Sequence, residues 1–389
     1  MDAFKDVDFL LQNELLTDEE RMVRDSVRKF VQQKFRPHIE EYYRKGVFPA
    51  ELIPEMGKLG YFGVNIEGYG CAGLSHLAYG LVSQELEAGD AGLRSVVSVQ
   101  TSLVMAAILA NGSEEQKDRW LPALASGDKV GCFGLTEPDF GSNPMGMRTK
   151  AVKTDAGYVL NGAKMWITNG TMADVAVVWA KLDGRVKGFL VEKGTPGFQQ
   201  IAMHHKLSFR ASDTAELAFD DCEIPADGLL PASDGIKSPL ACLTQARFGV
   251  AWGALGSAMD CFNTAKEYAM GRKQFDNRPI ASHQMVQAKL AHMLTEITKA
   301  QCLSLRVTRL KQEGRARPEH ISMMKMNNTE MALEVARTSR SILGANGITG
   351  EYPIMRHMCN LETTVTYEGT TDIHKLVLGK DLTGIQAFL

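Results

Sequence analysis

The chain has 389 residues, 44% hydrophobic and 23% charged, and at roughly 150 residues per domain that length gives two or three domains. Lys plus Arg total 43 against 46 for Asp plus Glu, a formal net charge of -3. That near balance excludes the basic excess of a nucleic-acid-binding protein and the high net charge of a disordered chain.

The first twenty residues are acidic and lack an apolar core, so they read as neither a secretory signal nor an Arg-rich transit peptide. The expected location is the cytoplasm, or the mitochondrial matrix if a transit peptide has been removed. Asp18-Glu-Glu opens a helix with Val23, Val27, Phe30 and Val31 at helical spacing. Pro54 falls in the first turn of a short helix over about 51–59, where proline is tolerated. Gly60 to Gly73 is a turn-rich connection with five glycines. Within it, Gly68-Tyr-Gly70-Cys-Ala-Gly73 matches the GxGxxG of dinucleotide-binding folds, but no good strand precedes it and no βαβ pattern follows. The alternative is a plain glycine-rich turn. Ser75 then opens a helix to about Gly89.

Ser95 to Ser113 is free of charge for 19 residues, long enough to span a membrane. Ser98, Gln100, Thr101 and Asn111 interrupt it, so a helix from Ser95 buried in a helical domain is expected, with no integral membrane segment. Ser113-Glu-Glu-Gln caps a further helix to about Ser126. From Lys129 to about Pro231 the segments become short and β-favouring, with Gly, Asn and Asp between them. Beyond Leu240, helical runs over about 240–271, 282–313 and 318–343 imply a bundle long enough to pack on a partner subunit. The fold class is α+β: an N-terminal helical domain (1–128), a central β-domain (129–235) and a C-terminal helical bundle (236–389). Seven scattered cysteines without a CxxC and nine histidines without an HxxxH predict free thiols and no metal site.

Four groups of residues could carry chemistry. Glu87, Arg94 and Ser98 share one face if their stretch is helical, and a buried Arg with a Glu partner and a hydroxyl suits a small carboxylate. A structural ion pair is the alternative. Leu135-Thr136-Glu137-Pro138 with Gly141-Ser142-Asn143, and Trp166-Ile167-Thr168-Asn169, could hold a flat heterocycle between an aromatic ring and hydroxyls; taken singly, each is ordinary turn chemistry. Glu368 stands beside a flexible glycine just before Thr370, which can cap the last helix. In an apolar cleft its pKa would rise and make it a usable base; in an exposed loop it would be inert.

In order, GCFGLTEPDFGSN, KMWITNG, GRKQF, ILGANG and YEGTTDIH resemble the acyl-CoA dehydrogenase family over essentially the whole chain. EGYGCAGLS, GLRSVVSVQTSLVM, LSFRAS, LTQARFGVAWG and NLETTVTYEGT resemble its glutaryl-CoA branch. The resemblance implies one FAD per subunit, a homotetramer, an acyl-CoA thioester substrate and an electron-transfer flavoprotein as acceptor. It places FAD contacts at Phe133, Leu135, Thr136, Gly141, Ser142, Trp166 and Thr168, with Arg272, Phe275 and Gly344 reaching across from a partner subunit. Thr370 and Asp372 would lie near the diphosphate and adenosine end. Glu368 takes the position of the catalytic base, and Arg247 would meet the CoA portion. Arg94 would meet a distal carboxylate, with Glu87, Ser95 and Ser98 around it and Tyr367 lining the pocket; Ser142 would also face substrate. The implied reaction is oxidation and decarboxylation of glutaryl-CoA to crotonyl-CoA. Another thioester, without decarboxylation or with oxygen as acceptor, is the alternative. Asn143, Asp276 and Thr371 stand where the family pattern usually has Asp, Gly and, in the glutaryl branch, His.

Overall fold

The computed structural model describes residues 7–387. The chain runs from helices through a sheet and back to helices. α1 (Asp18–Phe30) starts on a capping box: Thr17 Oγ1 accepts from Glu20 N at 3.2 Å, and Glu20 Oε2 accepts from Thr17 N at 2.9 Å. α2 (Ile39–Lys45), α3 (Ile53–Lys58), α4 (His76–Gly89), α5 (Ala91–Ser98), α6 (Ala106–Asn111) and α7 (Glu114–Ser126) follow. Ser75 and Ser113 cap α4 and α7, as their sequence positions predict. The apolar stretch expected as a helix from Ser95 is more irregular: it begins at Ala91 and passes through a π-helical segment at Val99–Met105. By length and composition Ala91–Asn111 could cross a membrane, but it is buried in the helical core. The GxGxxG stretch is a turn between helices with Gly68, Gly70 and Gly73 at positive φ, and no strand precedes it, so it is no dinucleotide fingerprint.

Seven strands form one mixed sheet: β1 (Gly131–Gly134), β2 (Lys150–Lys153), β3 (Gly157–Thr168), β4 (Val175–Leu182), β5 (Arg185–Glu192), β6 (Phe198–Ala202) and β7 (Thr214–Pro225). β4 pairs with β5 antiparallel, and with β1 and β2 in parallel. It is buried on both faces. Val175, Val177 and Trp179 pack into the helical core, whereas Ala176, Val178 and Ala180 pack into a separate core within the sheet domain. This strand fastens the sheet to the helices.

α8 (Lys237–Gly271) then runs through the helical core, followed by a small exposed hairpin, β8 (Lys273–Gln274) with β9 (Arg278–Pro279). α9 (Gln284–Gln312), α10 (Pro318–Leu343), α11 (Ile354–Thr364) and α12 (Thr371–Thr383) complete the bundle. α8 crosses α4 at glycine contacts. A Cβ on Gly256 would lie 1.9 Å from the Gln84 carbonyl oxygen, and one on Gly253 would lie 2.2 Å from Glu87 Oε2.

Candidate active site

Glu368 sits in the turn between α11 and α12. Thr370 caps α12, its Oγ1 accepting from Ile373 N at 3.2 Å. Glu368 itself has φ 54°, a left-handed conformation unusual for a non-glycine residue. Two cations pin that backbone: Arg247 Nε of α8 donates to the Glu368 carbonyl at 2.7 Å, and Lys325 Nζ of α10 donates to the Gly369 carbonyl at 2.9 Å. The residue is half-buried overall, but its Oε2 is sealed from solvent and has no hydrogen-bond partner. Burial pushes the Glu368 pKa up, against the opposing pull of Arg94, Arg247 and Lys325. Burial also pushes Lys325 down to about 7. His374 closes the turn from α12, with both ring nitrogens buried and unpartnered beside Gly369.

The second group stands where α4 meets α5. Glu87 and Arg94 do not share one helical face, because Asp90 is extended (φ -168°, ψ 145°) and divides the two helices. The break has a physical cause. Asp90 caps Gly92 N at 2.7 Å and takes Arg356 Nη1 at 2.7 Å and Asn360 Nδ2 at 2.8 Å on its other oxygen. The break still brings the pair together: Arg94 Nε donates to Glu87 Oε2 at 2.7 Å, with both side chains withdrawn from water. Arg94 Nη2 donates to the Tyr367 hydroxyl, and Tyr367 immediately precedes Glu368. Phe209 meets the Tyr367 ring edge-on at 5.6 Å. Arg94 Nη1 and Ser98 Oγ are buried without partners, and Ser95 lies buried beside them. Burial pushes the Glu87 pKa up, with Arg94 opposing it. A guanidinium with an unused N–H and an unpartnered hydroxyl one turn away have the chemistry to take a carboxylate.

The third group lies on the sheet. Phe133 and Leu135 are buried, and Met165 N donates to the Thr136 carbonyl at 2.9 Å, tying the loop after β1 to β3. Trp166 and Thr168 lie at the adjoining end of β3, beyond a register shift against β7. The bulge leaves Trp166 at φ 64° with its side chain 61% exposed. A large aromatic held open on strained backbone fits one face of a flat ring system. Gly141 and Ser142 are exposed on the same loop. Beneath it Glu137 is buried and fully used: it accepts from Arg148 N at 2.6 Å, Thr149 N at 2.9 Å and Lys164 Nζ at 2.8 Å. Arg272, Phe275, Gly344 and Asp372 are exposed, outside this cluster of buried groups. Among the described residues no group of three or more His, Cys, Asp or Glu could hold a metal ion.

Lys164, Ser257, Lys325, His357 and His374 carry no signal in the sequence: each is an interior polar residue on a helix or strand, which spacing alone does not separate from a solvent-facing one.

Helices, mixed sheet and helices around a sealed carboxylate define an acyl-CoA dehydrogenase fold, and the chain belongs to that family: its N-terminal, middle and C-terminal domain models match residues 17–128, 132–222 and 233–383. It is an enzyme acting on a CH–CH bond. The crystal structure of a glutaryl-CoA dehydrogenase from Mycobacterium smegmatis is 52% identical with a TM-score of 0.97, covering 99% of this chain and 100% of that one. A glutaryl-CoA dehydrogenase from the same organism in complex with FADH2 is 48% identical, also with a TM-score of 0.97, over 98% of this chain and 99% of that one. The human mitochondrial short-chain specific acyl-CoA dehydrogenase is 35% identical over 98% of this chain and 94% of that protein.

Proposed function

We propose that this enzyme oxidises and decarboxylates glutaryl-CoA to crotonyl-CoA, with FAD as its cofactor. The observation that carries the substrate is the unused edge of Arg94. A buried Nη1 and a buried Ser98 hydroxyl without partners are costly to leave unsatisfied, and an unbranched, uncharged acyl chain would leave them so. A distal carboxylate satisfies both. The glutaryl-CoA dehydrogenases at 52% and 48% identity support this reading over the short-chain type found at 35%.

Phe133, Leu135, Thr136, Gly141, Ser142, Trp166 and Thr168 would hold the isoalloxazine and its polar edge. Bound FAD supplies the acceptor for the β-hydrogen as hydride. Glu368 removes the α-proton, and its sealed position raises its basicity toward the working pH. Arg247 holds the Glu368 carbonyl and Lys325 that of Gly369, so the turn that carries the base is fixed before the proton moves. The backbone N–H of Glu368 would stabilise the enolate oxygen of the thioester. Once the double bond has formed, the γ-carboxyl group leaves as carbon dioxide and its bonding pair delocalises as a dienolate onto the thioester. A proton then returns to give crotonyl-CoA. Arg94 positions the carboxylate up to that point. Arg272, Phe275 and Gly344 would serve a neighbouring subunit's cofactor in a homotetramer, with an electron-transfer flavoprotein as acceptor.

The test is anaerobic mixing of the FAD-loaded enzyme with one equivalent of glutaryl-CoA. Bleaching of the flavin with crotonyl-CoA and carbon dioxide as products is the expected result. Glutaconyl-CoA as the end product would overturn the decarboxylation. Bleaching by butyryl-CoA but not by glutaryl-CoA would overturn the substrate.

A further inference from the structure

Behind the Arg94–Glu87 pair, away from the acyl pocket, lies a row of buried polar side chains that the reaction does not use. Ser257 Oγ of α8 stands 3.4 Å from Glu87 Oε1 and 3.3 Å from His357 Nδ1 of α11. His357 Nε2 meets Asp260 Oδ2 at 3.1 Å, and Asp260 Oδ1 takes Arg36 Nη2 at 2.6 Å. Glu87, Ser257 and His357 are fully buried.

The charges in this region already cancel in pairs. Arg94 faces Glu87, Arg356 faces Asp90 at 2.7 Å, and Arg36 faces Asp260. On the acyl side Tyr367 is uncharged, burial having pushed its pKa well up, and Glu368 faces Arg247, while burial pushes Lys325 down to about 7. A ligand carboxylate docked on Arg94 Nη1 therefore adds a second anion to a cation that has one. An unbalanced buried charge is expensive, and proteins relieve it by moving a proton.

We propose that docking a distal carboxylate on Arg94 draws one proton from solvent into the Glu87–Ser257–His357 cluster. The proposal rests on the reading of Arg94 as a carboxylate receptor. The geometry offers two resting places for that proton. On Glu87 it leaves a neutral acid beside Arg94. On His357 it gives an imidazolium between Asp260 and Ser257, whose hydroxyl then donates to Glu87. The two sites share the Ser257 hydroxyl, which stands within 3.4 Å of both. Glu87 is primed for this by burial, which favours its neutral form.

The experiment is calorimetric titration of the parent enzyme, its FAD reduced beforehand with dithionite so that the ligand is not consumed, with glutaryl-CoA and with butyryl-CoA. Each is run at pH 7.5 in buffers of different ionisation enthalpy. Glutaryl-CoA should take up about one proton per site more than butyryl-CoA, and its affinity relative to butyryl-CoA should fall about tenfold per pH unit above neutrality. Adding Glu87→Gln should remove the difference, because the ligand then replaces the missing anion. Equal proton counts for two ligands that both bind would overturn the proposal and leave the glutaryl reading intact. Failure of glutaryl-CoA to bind more tightly than butyryl-CoA would overturn both.

Discussion

Glu137 and Glu368 are both carboxylates held in loops away from water, one under the sheet and one among the helices, and their surroundings are opposite. Glu137 is closed on every side. Two backbone N–H groups and the Lys164 ammonium occupy its oxygens, and although burial alone would raise its pKa, those donors bring it below the ordinary value. Glu368 is open, with an unpartnered Oε2 and a pKa pushed up by burial. The first fastens a loop: it joins the turn after β1 to the β3 strand that carries Trp166. The second keeps an oxygen unengaged, as the proposed base requires. Burial is common to both, so burial does not mark a reactive carboxylate; an unused oxygen does.

Substitutions can break this comparison, and Glu368→Gln should have the largest effect. Flavin reduction by glutaryl-CoA should slow by about 10² to 10⁴ or more, with FAD retained, as stopped-flow absorbance under nitrogen would record. A rate near the parent's would place the base elsewhere. Arg94→Met should come next. Losing one partner of a buried charged contact costs about 2–5 kcal/mol, a factor of roughly 30 to several thousand. That loss should fall on kcat/KM for glutaryl-CoA and spare butyryl-CoA; equal losses would make Arg94 structural.

Glu137→Gln should act on folding rather than on the base. Leaving Lys164 buried without its anion should cost about 3 kcal/mol in denaturant unfolding. The sign with pH follows from the depressed pKa. The stabilisation is complete above the ordinary value of 4.5 and is lost as pH falls through the lower folded-state value, so the gap between parent and variant should close in acid. A gap that widens in acid would show that Glu137 is not held as the anion. The smallest effect is expected from Lys325→Met. Removing a cation that faces Glu368 should move the acid limb of the flavin-reduction profile to higher pH, and an unmoved limb would leave Lys325 with only its hold on the Gly369 carbonyl.

Much of this was legible in the sequence, for identifiable reasons. Ser75, Ser113 and Thr370 are side-chain caps, and helices begin where they stand. Glu368 could be singled out because a glycine and a cap follow it directly. Arg94 and Glu87 were paired by spacing, yet the reason differed: Asp90 breaks the helix, and its partners Arg356 and Asn360 lie more than 260 positions away. Within the β-favouring region, β2 and β6 are the least legible strands, because their sequences, KAVK and FQQIA, are short and lack an apolar face. The row from Glu87 to Arg36 escaped because its members come from four separate segments, and only the packing of α4, α8 and α11 brings them into line.

The glycine contact between α4 and α8 bears on how this enzyme could be altered. Gly253 has no room for a methyl group because Glu87 Oε2 lies where it would go. Any side chain there displaces Glu87, and Arg94 then loses its counterion. The Glu87–Arg94 pair, proposed above to back the acyl pocket, thus also sits at the crossing of α4 and α8. Engineering toward bulkier or differently charged thioesters through α8 would have to loosen the scaffold before it could reshape the cavity. Ser95 and Ser98 are buried on α5, close in sequence to Arg94, without belonging to that crossing. They are the positions from which a new acyl preference could be explored one substitution at a time.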